Sequence, residues 1–393
     1  MSQPVPKGAE DLHKVLKCGS PCTAVAFSPR SDPPFLLVGS EDGALRCYAS
    51  PFDRVHRAVK ALGEEISCVA FDCSKDDTSS DRSCWIACGT EVLEFDLYHA
   101  GKLILSRMDV KTVTRVLQGR GEDDVLNEIA VYGPQMAFTS DAGVVGVHGT
   151  KSGLKTLMKT KHSRICSSVK FVPNTSGREI VSAGYDCTLL HHDTTTGTTH
   201  SRRDIPPALA SAESVSMCPP FILSVSMSEM GTIATSTADG RVWIGKAPFV
   251  GPNGGKPTPG KQIKWKGLSK LDNQSQREFT IAQGPVTAIE IVSIGGIEFL
   301  FTLSLSGRLQ VHRIPSLATP PGDNNEERAA LPSIWERSTK SVIKTDGLAC
   351  SPATRVEGVN GRWIAIGGVG AGSKGFVEMW FLPASILRDG VDV

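Results

Sequence analysis

The chain has 393 residues, of which 40% are hydrophobic and 21% charged, an ordinary composition for a soluble globular protein with a large core. Its 42 Lys and Arg against 41 Asp and Glu leave a formal charge of +1, which excludes a strong overall field toward nucleic acid or membrane. The opening residues, MSQPVPKGAEDLHKV, lack the apolar centre of a signal peptide. The longest apolar run, Ile294–Leu305, contains Gly295, Gly296 and Glu298 and is too short for a membrane helix. The 11 cysteines are odd in number and irregular in spacing, which fits reduced thiols of the cytosol or nucleus.

Length alone would suggest two or three domains, but a repeat fold can use the whole chain. Short Val-, Ile-, Phe-, Ser- and Thr-rich runs alternate with Gly- and Pro-rich turns, an all-β pattern. One unit recurs: a strand ending on an apolar residue, a turn, a strand of small and apolar residues, an Asp-Gly-like turn, and a third strand. The first copy is Cys22–Pro29, Phe35–Ser40 and Glu41–Tyr48. The second runs from Ile66 to Asp96, the third from Leu126 to His148, and the fourth from Ile165 to Asp193. The fifth begins at Ile222, the sixth at Val286, and the seventh at Gly347, ending at Leu382.

The apolar anchors of the first strands are Phe27, Phe71, Val131, Phe171, Met227, Ile291 and Cys350, spaced by roughly 54 residues. The repeats are expected at about 12–50, 51–100, 101–150, 151–200, 201–250, 251–315 and 316–385. The surplus sits in stretches read as surface loops: Asp72–Ser83, Gly251–Gly260 and Thr319–Glu327.

A single four-stranded sheet cannot bury both of its faces, whereas radial stacking buries each face against a neighbour. The expected fold is one all-β domain over 1–393, a seven-bladed propeller of four-stranded antiparallel blades. Leu12–Lys17 alternates like a strand and is expected to supply the outer strand of the seventh blade, fastening the two termini together.

These repeats resemble the WD40 family. The fourth copy carries Lys161-His162 where the family has Gly-His, Ser182 on the second strand, Asp186 in the tight turn and His192-Asp193 where the family has Trp-Asp. The resemblance implies a hydrogen-bonded set of His162, Ser182 and Asp186, left incomplete because His192 replaces the Trp. Phe95-Asp96 and Trp243-Ile244 each keep half of the Trp-Asp pair, while Asp42-Gly43 and Asp239-Gly240 keep the turn. A narrower resemblance joins Lys161–Pro173 and Ile180–Asp186 to the group of WD repeat-containing protein 53. It implies a substrate receptor of a cullin-type ubiquitin ligase. Such receptors often carry Trp-Asp-x-Arg, where this chain reads His192-Asp193-Thr194-Thr195 and Phe95-Asp96-Leu97-Tyr98.

Several motifs invite chemistry. Gly370-Ala-Gly-Ser-Lys-Gly375-Phe-Val377 has the spacing of a glycine-rich nucleotide loop, but Lys and Ser stand in the wrong order for a P-loop. Too little chain follows for a kinase, so a glycine hairpin in the last blade is expected. Cys68, Cys73, Cys84 and Cys88 could suggest zinc, yet Cys84 and Cys88 lie about 13 Å apart along one strand face, so buried thiols are expected. His191 and His192 point to opposite faces and cannot share a site. No cofactor or metal is expected.

The basic runs are Lys151, Lys155, Lys159, Lys161, Arg164 and Lys256, Lys261, Lys264, Lys266, Lys270, the latter with Trp265. They read as solvent faces, or as a contact for RNA or an acidic protein. Asp76-Asp77 and Glu122-Asp123-Asp124 read as solvated.

The functional expectation is a non-catalytic scaffold, monomeric within a larger complex, that binds proteins or peptides on its rims. The alternative is an RNA-associated subunit of RNA processing or ribosome assembly. A propeller enzyme lacks a supporting constellation of acid, base or metal-ligating residues. On the rim the WD family uses, contacts would fall at Glu41, Glu65, Arg164, Tyr185 and Arg241.

Overall fold

The structure is a computed structural model that describes residues 13–74, 82–117, 124–207, 218–250, 264–268, 276–315, 331–339 and 342–389. The insertions around 251–260 and 319–327 lie outside the described residues. The second strand of a blade shows most directly why the sequence folds as it does. Phe35–Ser40, Glu179–Gly184 and Thr232–Thr237 are buried at every position. A strand covered on both faces reads as a run of apolar and small residues, and the one charge among these, Glu179, is paired with His191 at 3.1 Å. Small residues allow close approach. A side chain at Gly39 would meet the Ile66 methyl at 2.6 Å.

Seven such sheets make the chain an all-β, seven-bladed propeller. The four antiparallel strands of each blade follow one another in the chain, except in the last. The first blade is Cys22–Phe27, Phe35–Ser40, Leu45–Ala49 and Val55–Lys60; the second is Ile66–Ala70, Ser83–Cys88, Glu91–Asp96 and Thr112–Arg115. The third is Leu126–Tyr132, Gln135–Ser140, Val145–Gly149 and Lys155–Leu157; the fourth is Cys166–Phe171, Glu179–Gly184, Thr188–Asp193 and Thr199–Asp204. The fifth is Ile222–Met227, Thr232–Thr237, Arg241–Lys246 and Gln276–Thr280; the sixth is Val286–Ile294, Ile297–Ser304, Arg308–Arg313 and Ser333–Ser338. The seventh takes Val342–Cys350, Val359–Gly370 and Gly375–Pro383 from the end of the chain and His13–Cys18 from its start. The N-terminal strand His13–Cys18 thus closes the last sheet.

The chain divides into two compact units. One comprises Met1–Gln118, Ser306–Gln310 and Ile334–Val393, the other Gly119–Leu305 and Val311–Ser333. In the first unit, Leu37, Leu45, Ile66, Ile86, Leu93 and Phe95 pack between the first and second blades, and Leu16, Leu36, Val38, Met379 and Phe381 between the seventh and first. In the second unit, Val181, Leu189, Ile222 and Trp243 fill the space between the fourth and fifth blades.

A device absent from the sequence reading recurs between blades. The pairing of first and second strands breaks near the start of the first strand, at Cys22/Ala24, Ile66/Cys68, Leu126/Ile129, Cys166/Ser168, Ile222/Ser224 and Val286/Ala288. A bulge re-aims a side chain. Here it sends a polar group to the first strand of the next blade: Thr23 Oγ1 donates to Ile66 O at 2.6 Å, Asn127 Nδ2 to Cys166 O at 3.1 Å, and Ser167 Oγ to Ile222 O at 2.6 Å. Each such clasp contributes about 1 kcal/mol.

The glycine-rich run lies in the hairpin between Val359–Gly370 and Gly375–Pro383, where Gly370 N donates to Lys374 O at 2.8 Å. Gly375 is required by closure: a side-chain carbon there would lie 1.9 Å from Ser20 O. Cys84 and Cys88 are buried with Cys47 between the first two blades. Burial pushes the Cys47 thiol up to about 12, against a small opposing pull from Arg57, and raises Cys84 and Cys88 as well. These are apolar, protonated thiols. Among the described residues no group of three or more His, Cys, Asp or Glu is placed to hold a metal ion. Alkylation of the native protein is expected to reach the exposed Cys73 and Cys218 first, and Cys47, Cys84 and Cys166 only on unfolding. Peptide mapping after a timed iodoacetamide pulse checks the order, and labelling of Cys84 at the rate of Cys73 would contradict it.

One acidic site is corrected. Asp124 is not solvated: it is buried, accepting from Ser140 Oγ at 3.1 Å and Ala142 N at 2.9 Å, because the turn beneath it presents two donors. Asp76, Asp77, Glu122 and Asp123 lie outside the described residues.

Candidate functional site

The candidate site is built on the turn between the second and third strands of the blades of the second unit. In the fourth blade it reads Gly184-Tyr185-Asp186-Cys187-Thr188, with Cys187 held at φ 61° where the corresponding turns of the third and fifth blades have Gly143 and Gly240. At Gly143 a side chain is impossible, since its first carbon would lie 2.2 Å from His162 O. That contact seats the segment before the fourth blade, and His162 N donates to Gly143 O at 3.0 Å.

From this seat a line of hydrogen bonds crosses the fourth blade. Thr199 Oγ1 lies 3.1 Å from His192 Nδ1, His192 Nε2 lies 3.1 Å from Ser182 Oγ, Ser182 Oγ lies 2.9 Å from His162 Nε2, and His162 Nδ1 lies 2.9 Å from Asp186 Oδ1. One set of proton positions satisfies every member with both rings neutral. Thr199 donates to His192 Nδ1, His192 Nε2–H to Ser182, Ser182 O–H to His162 Nε2, and His162 Nδ1–H to the Asp186 carboxylate. These positions are assigned from the network. The expectation of an incomplete set is therefore corrected: His192 supplies the N–H that an indole would, because Thr199 occupies its other nitrogen.

The electrostatics agree. Burial, helped by the neighbouring His162, His191 and His200, lowers His192 to about 3, so it is neutral at pH 7. Burial alone would raise Asp186, but hydrogen bonds from His162, Ser163 N and Thr188 outweigh it and hold the carboxylate at about 2. His191 faces the other way, with Nε2 3.1 Å from Glu179 Oε2 and its ring edge-on to Trp265 at 5.1 Å.

The network fixes the turn and the segment before the first strand, and these place Tyr185 and Arg164 at one end of the blade. Tyr185 stacks flat on Phe221 of the fifth blade's entry, with centroids 5.4 Å apart and planes inclined by 12°. The Arg164 guanidinium carbon lies 5.9 Å from the Phe221 centroid. Arg164 is exposed, both aromatics are half-buried, and among the described residues no carboxylate pairs with Arg164. Phe221 escaped the sequence reading. The signal was available: it follows Pro219-Pro220 directly before the first strand, where the core needs no aromatic.

The other rim positions separate. Glu41 and Glu65 are exposed in the first unit, where Asp42 accepts from Ser40 Oγ at 2.6 Å and pairs with Arg46. Arg241 is corrected: it is buried, bound to Asp239 and Glu278 at 2.7 Å each and to Pro206 O at 2.8 Å, because a third-strand side chain after the turn folds back over the turn carboxylate. Asp239 also accepts from Thr237 Oγ1 at 2.5 Å. Asp193 and Asp96 lie at the opposite strand ends, where Asp193 caps Thr195 N and Thr196 N at 2.8 Å and Asp96 caps Tyr98 N at 2.8 Å.

Of the basic runs, Lys151, Lys155, Lys159, Lys161 and Arg164 are all exposed. Trp265 is buried, donating its indole N–H to Ala247 O at 2.9 Å, and offers no face for base stacking. Lys256, Lys261 and Lys270 lie outside the described residues.

No protein-family model matches the sequence, and no curated protein matches it. Among solved structures, the chain is similar to the β-propeller domain of Cps50 (Swd1) from Myceliophteria thermophila. The TM-score is 0.61 and the identity 12%, over 94% of this chain and 100% of that one. A likeness at that identity establishes the fold, a β-propeller, and carries no function with it.

Proposed function

We propose that the protein is a non-catalytic interaction scaffold that grips a partner protein at the Arg164–Tyr185–Phe221 stack. The observation that carries the reading is an exposed guanidinium without a carboxylate partner among the described residues, set beside two half-buried stacked aromatics, Tyr185 on the turn of the fourth blade and Phe221 at the entry of the fifth. Arg, Tyr and other aromatics dominate binding energy where they are preorganised, because little side-chain entropy remains to be lost. A carboxylate or carbonyl of the partner would meet Arg164 while an apolar side chain covers the exposed ring surface. The double variant Arg164→Ala/Tyr185→Ala is expected to weaken partner capture about tenfold or more, while the lost Tyr185–Phe221 stack lowers the melting temperature by only a few degrees and leaves the protein folded. Quantitative affinity purification of tagged wild type and variant reads this, and an unchanged set of co-purifying proteins would remove the stack from the interface.

The ubiquitin-ligase reading, suggested by the repeat resemblance to the WD repeat-containing protein 53 group, is a finer form of the same proposal. Enrichment of the cullin-4 adaptor in those purifications supports it, and its absence where a known receptor enriches it rejects it. A second reading, contact with RNA, rests on the exposed Lys151, Lys155, Lys159, Lys161 and Arg164. It requires affinity that falls steeply with salt. Salt-independent absence of RNA from the purified protein rejects it.

A further inference from the structure

In the first unit the connection between the third and fourth strands of the second blade does not turn back directly. It crosses to the first blade, where Ile104–Ser106 pairs in parallel with Val55–Lys60 as a fifth strand: Ala58 stands opposite Ile104, Val59 opposite Leu105 and Lys60 opposite Ser106. The strand is anchored on its inner side, with Ala58 N donating to Leu103 O at 3.0 Å and Leu105 buried. It is stopped by a single helical turn, Arg107–Asp109, capped by Ser106 and Asp109. Beyond it no further strand pairs among the described residues. Natural sheets blunt such edges with charge, bulges or cover. This one instead displays apolar side chains: Leu103 is 61% exposed, Ile104 60% and Met108 92%.

The charges around the edge are sorted by depth. Lys102 pairs with Asp109, Arg107 and Arg115 both pair with Glu91, and Lys111 pairs with Glu94. In these pairs the carboxylates are only 10–14% exposed and the cations 43–64% exposed. The acids lie underneath and the bases point outward, so the surface a partner meets is positive although the net charge of the chain is +1. Arg57 adds to it, donating to Lys102 O at 2.5 Å with its guanidinium 4.7 Å from the Tyr98 ring centroid.

We propose that this edge is a docking site for an extended acidic segment of a partner protein, which adds as a strand beside Ile104–Ser106. Ser106 N already donates to Asp109 Oδ2 at 2.9 Å; the remaining outward backbone groups of the strand would hold the segment, its apolar side chains would cover Leu103, Ile104 and Met108, and its carboxylates would meet the outward cations. The site is separate from the Arg164 stack and stands without it.

The probe is a fluorescein-labelled decapeptide of alternating Glu and Val, titrated with the full chain and followed by fluorescence anisotropy. Saturable binding is expected, weakened about tenfold by Ile104→Asp/Met108→Asp, which is about 1.4 kcal/mol. Both side chains are exposed, and an unchanged melting temperature verifies that the variant folds. The same peptide N-methylated at its four central residues is expected not to bind, because it cannot pair with a strand edge. Arg164→Ala/Tyr185→Ala is expected to bind the unmodified peptide as wild type does. Equal binding of the methylated peptide, loss of binding in the Arg164 variant, or no binding at millimolar protein would overturn the proposal. So would preferential capture of phosphatidylserine vesicles or of an oligonucleotide, which would make the edge a surface for a different anion.

Discussion

Truncation of the chain to begin after Cys18 is expected to destabilise the first unit by an amount on the order of 5 kcal/mol, a large part of the stability of most domains. His13–Cys18 pairs residue for residue with Gly375–Trp380, and its inward side chains Leu16 and Cys18 are buried between the seventh and first blades. Removal opens that core and exposes the edge of Gly375–Pro383. The His13 ring also stacks on Trp380 at 5.4 Å while its Nε2 meets Glu378 Oε1 at 2.7 Å. Two point variants separate core packing from the rest. Leu16→Ala is expected to cost about 2–4 kcal/mol. Val15→Ala, on the opposite face and half exposed, is expected to change stability by about 0.5 kcal/mol or less. Urea unfolding reads both, and equal effects at 15 and 16 would mean that the strand does not seal the sheet.

Ser182→Ala is expected to cost about 2–4 kcal/mol, a large effect for the loss of one oxygen. The hydroxyl serves two ring nitrogens at once, and among the described residues neither has another partner, so its removal leaves His162 Nε2 and His192 Nε2–H buried and unsatisfied. The same network predicts acid sensitivity. His192 titrates at 6.5 when unfolded and at about 3 when folded, so below pH 6.5 the unfolded chain takes up a proton that the folded chain refuses. Stability from this group is complete above pH 6.5 and falls as pH drops toward 3, by about 2 kcal/mol between pH 7 and pH 5. Asp186, held at about 2 against 3.8 unfolded, adds a loss only below about pH 4, when its carboxylate is protonated in the unfolded chain first. His192→Phe lowers stability at pH 7 but is expected to flatten the slope between pH 7 and pH 5. Chemical denaturation at several pH values measures it, and an unaltered slope in His192→Phe would show that another group carries the acid sensitivity.

Three strands in each copy were legible because their burial forces a pattern. Strands such as Phe35–Ser40 and Thr232–Thr237 are covered on both faces and cannot carry charge. The fourth strands were harder to see. Thr199–Asp204, with sequence THSRRD, is half exposed along its length and has no apolar face, so its place as a strand comes from pairing with Thr188–Asp193. The excursion through Ile104–Ser106 left no periodic trace either, since a three-residue strand is shorter than any pattern that could reveal it.

The sequence by itself determined the repeat, its strand order and the turn residues, because these follow from side-chain size, polarity and backbone freedom within a few neighbouring positions. Only the tertiary structure decided which polar groups face one another. Arg241 reads as a rim cation and is a buried partner of Asp239. Trp265 lies among lysines in the chain and against His191 in the fold. His192 looks like a broken motif until Thr199, seven residues on, fills its second nitrogen. Hydrogen bonds and ion pairs depend on distances of about 3 Å between groups that the fold brings together from different strands and turns, and no local pattern encodes those.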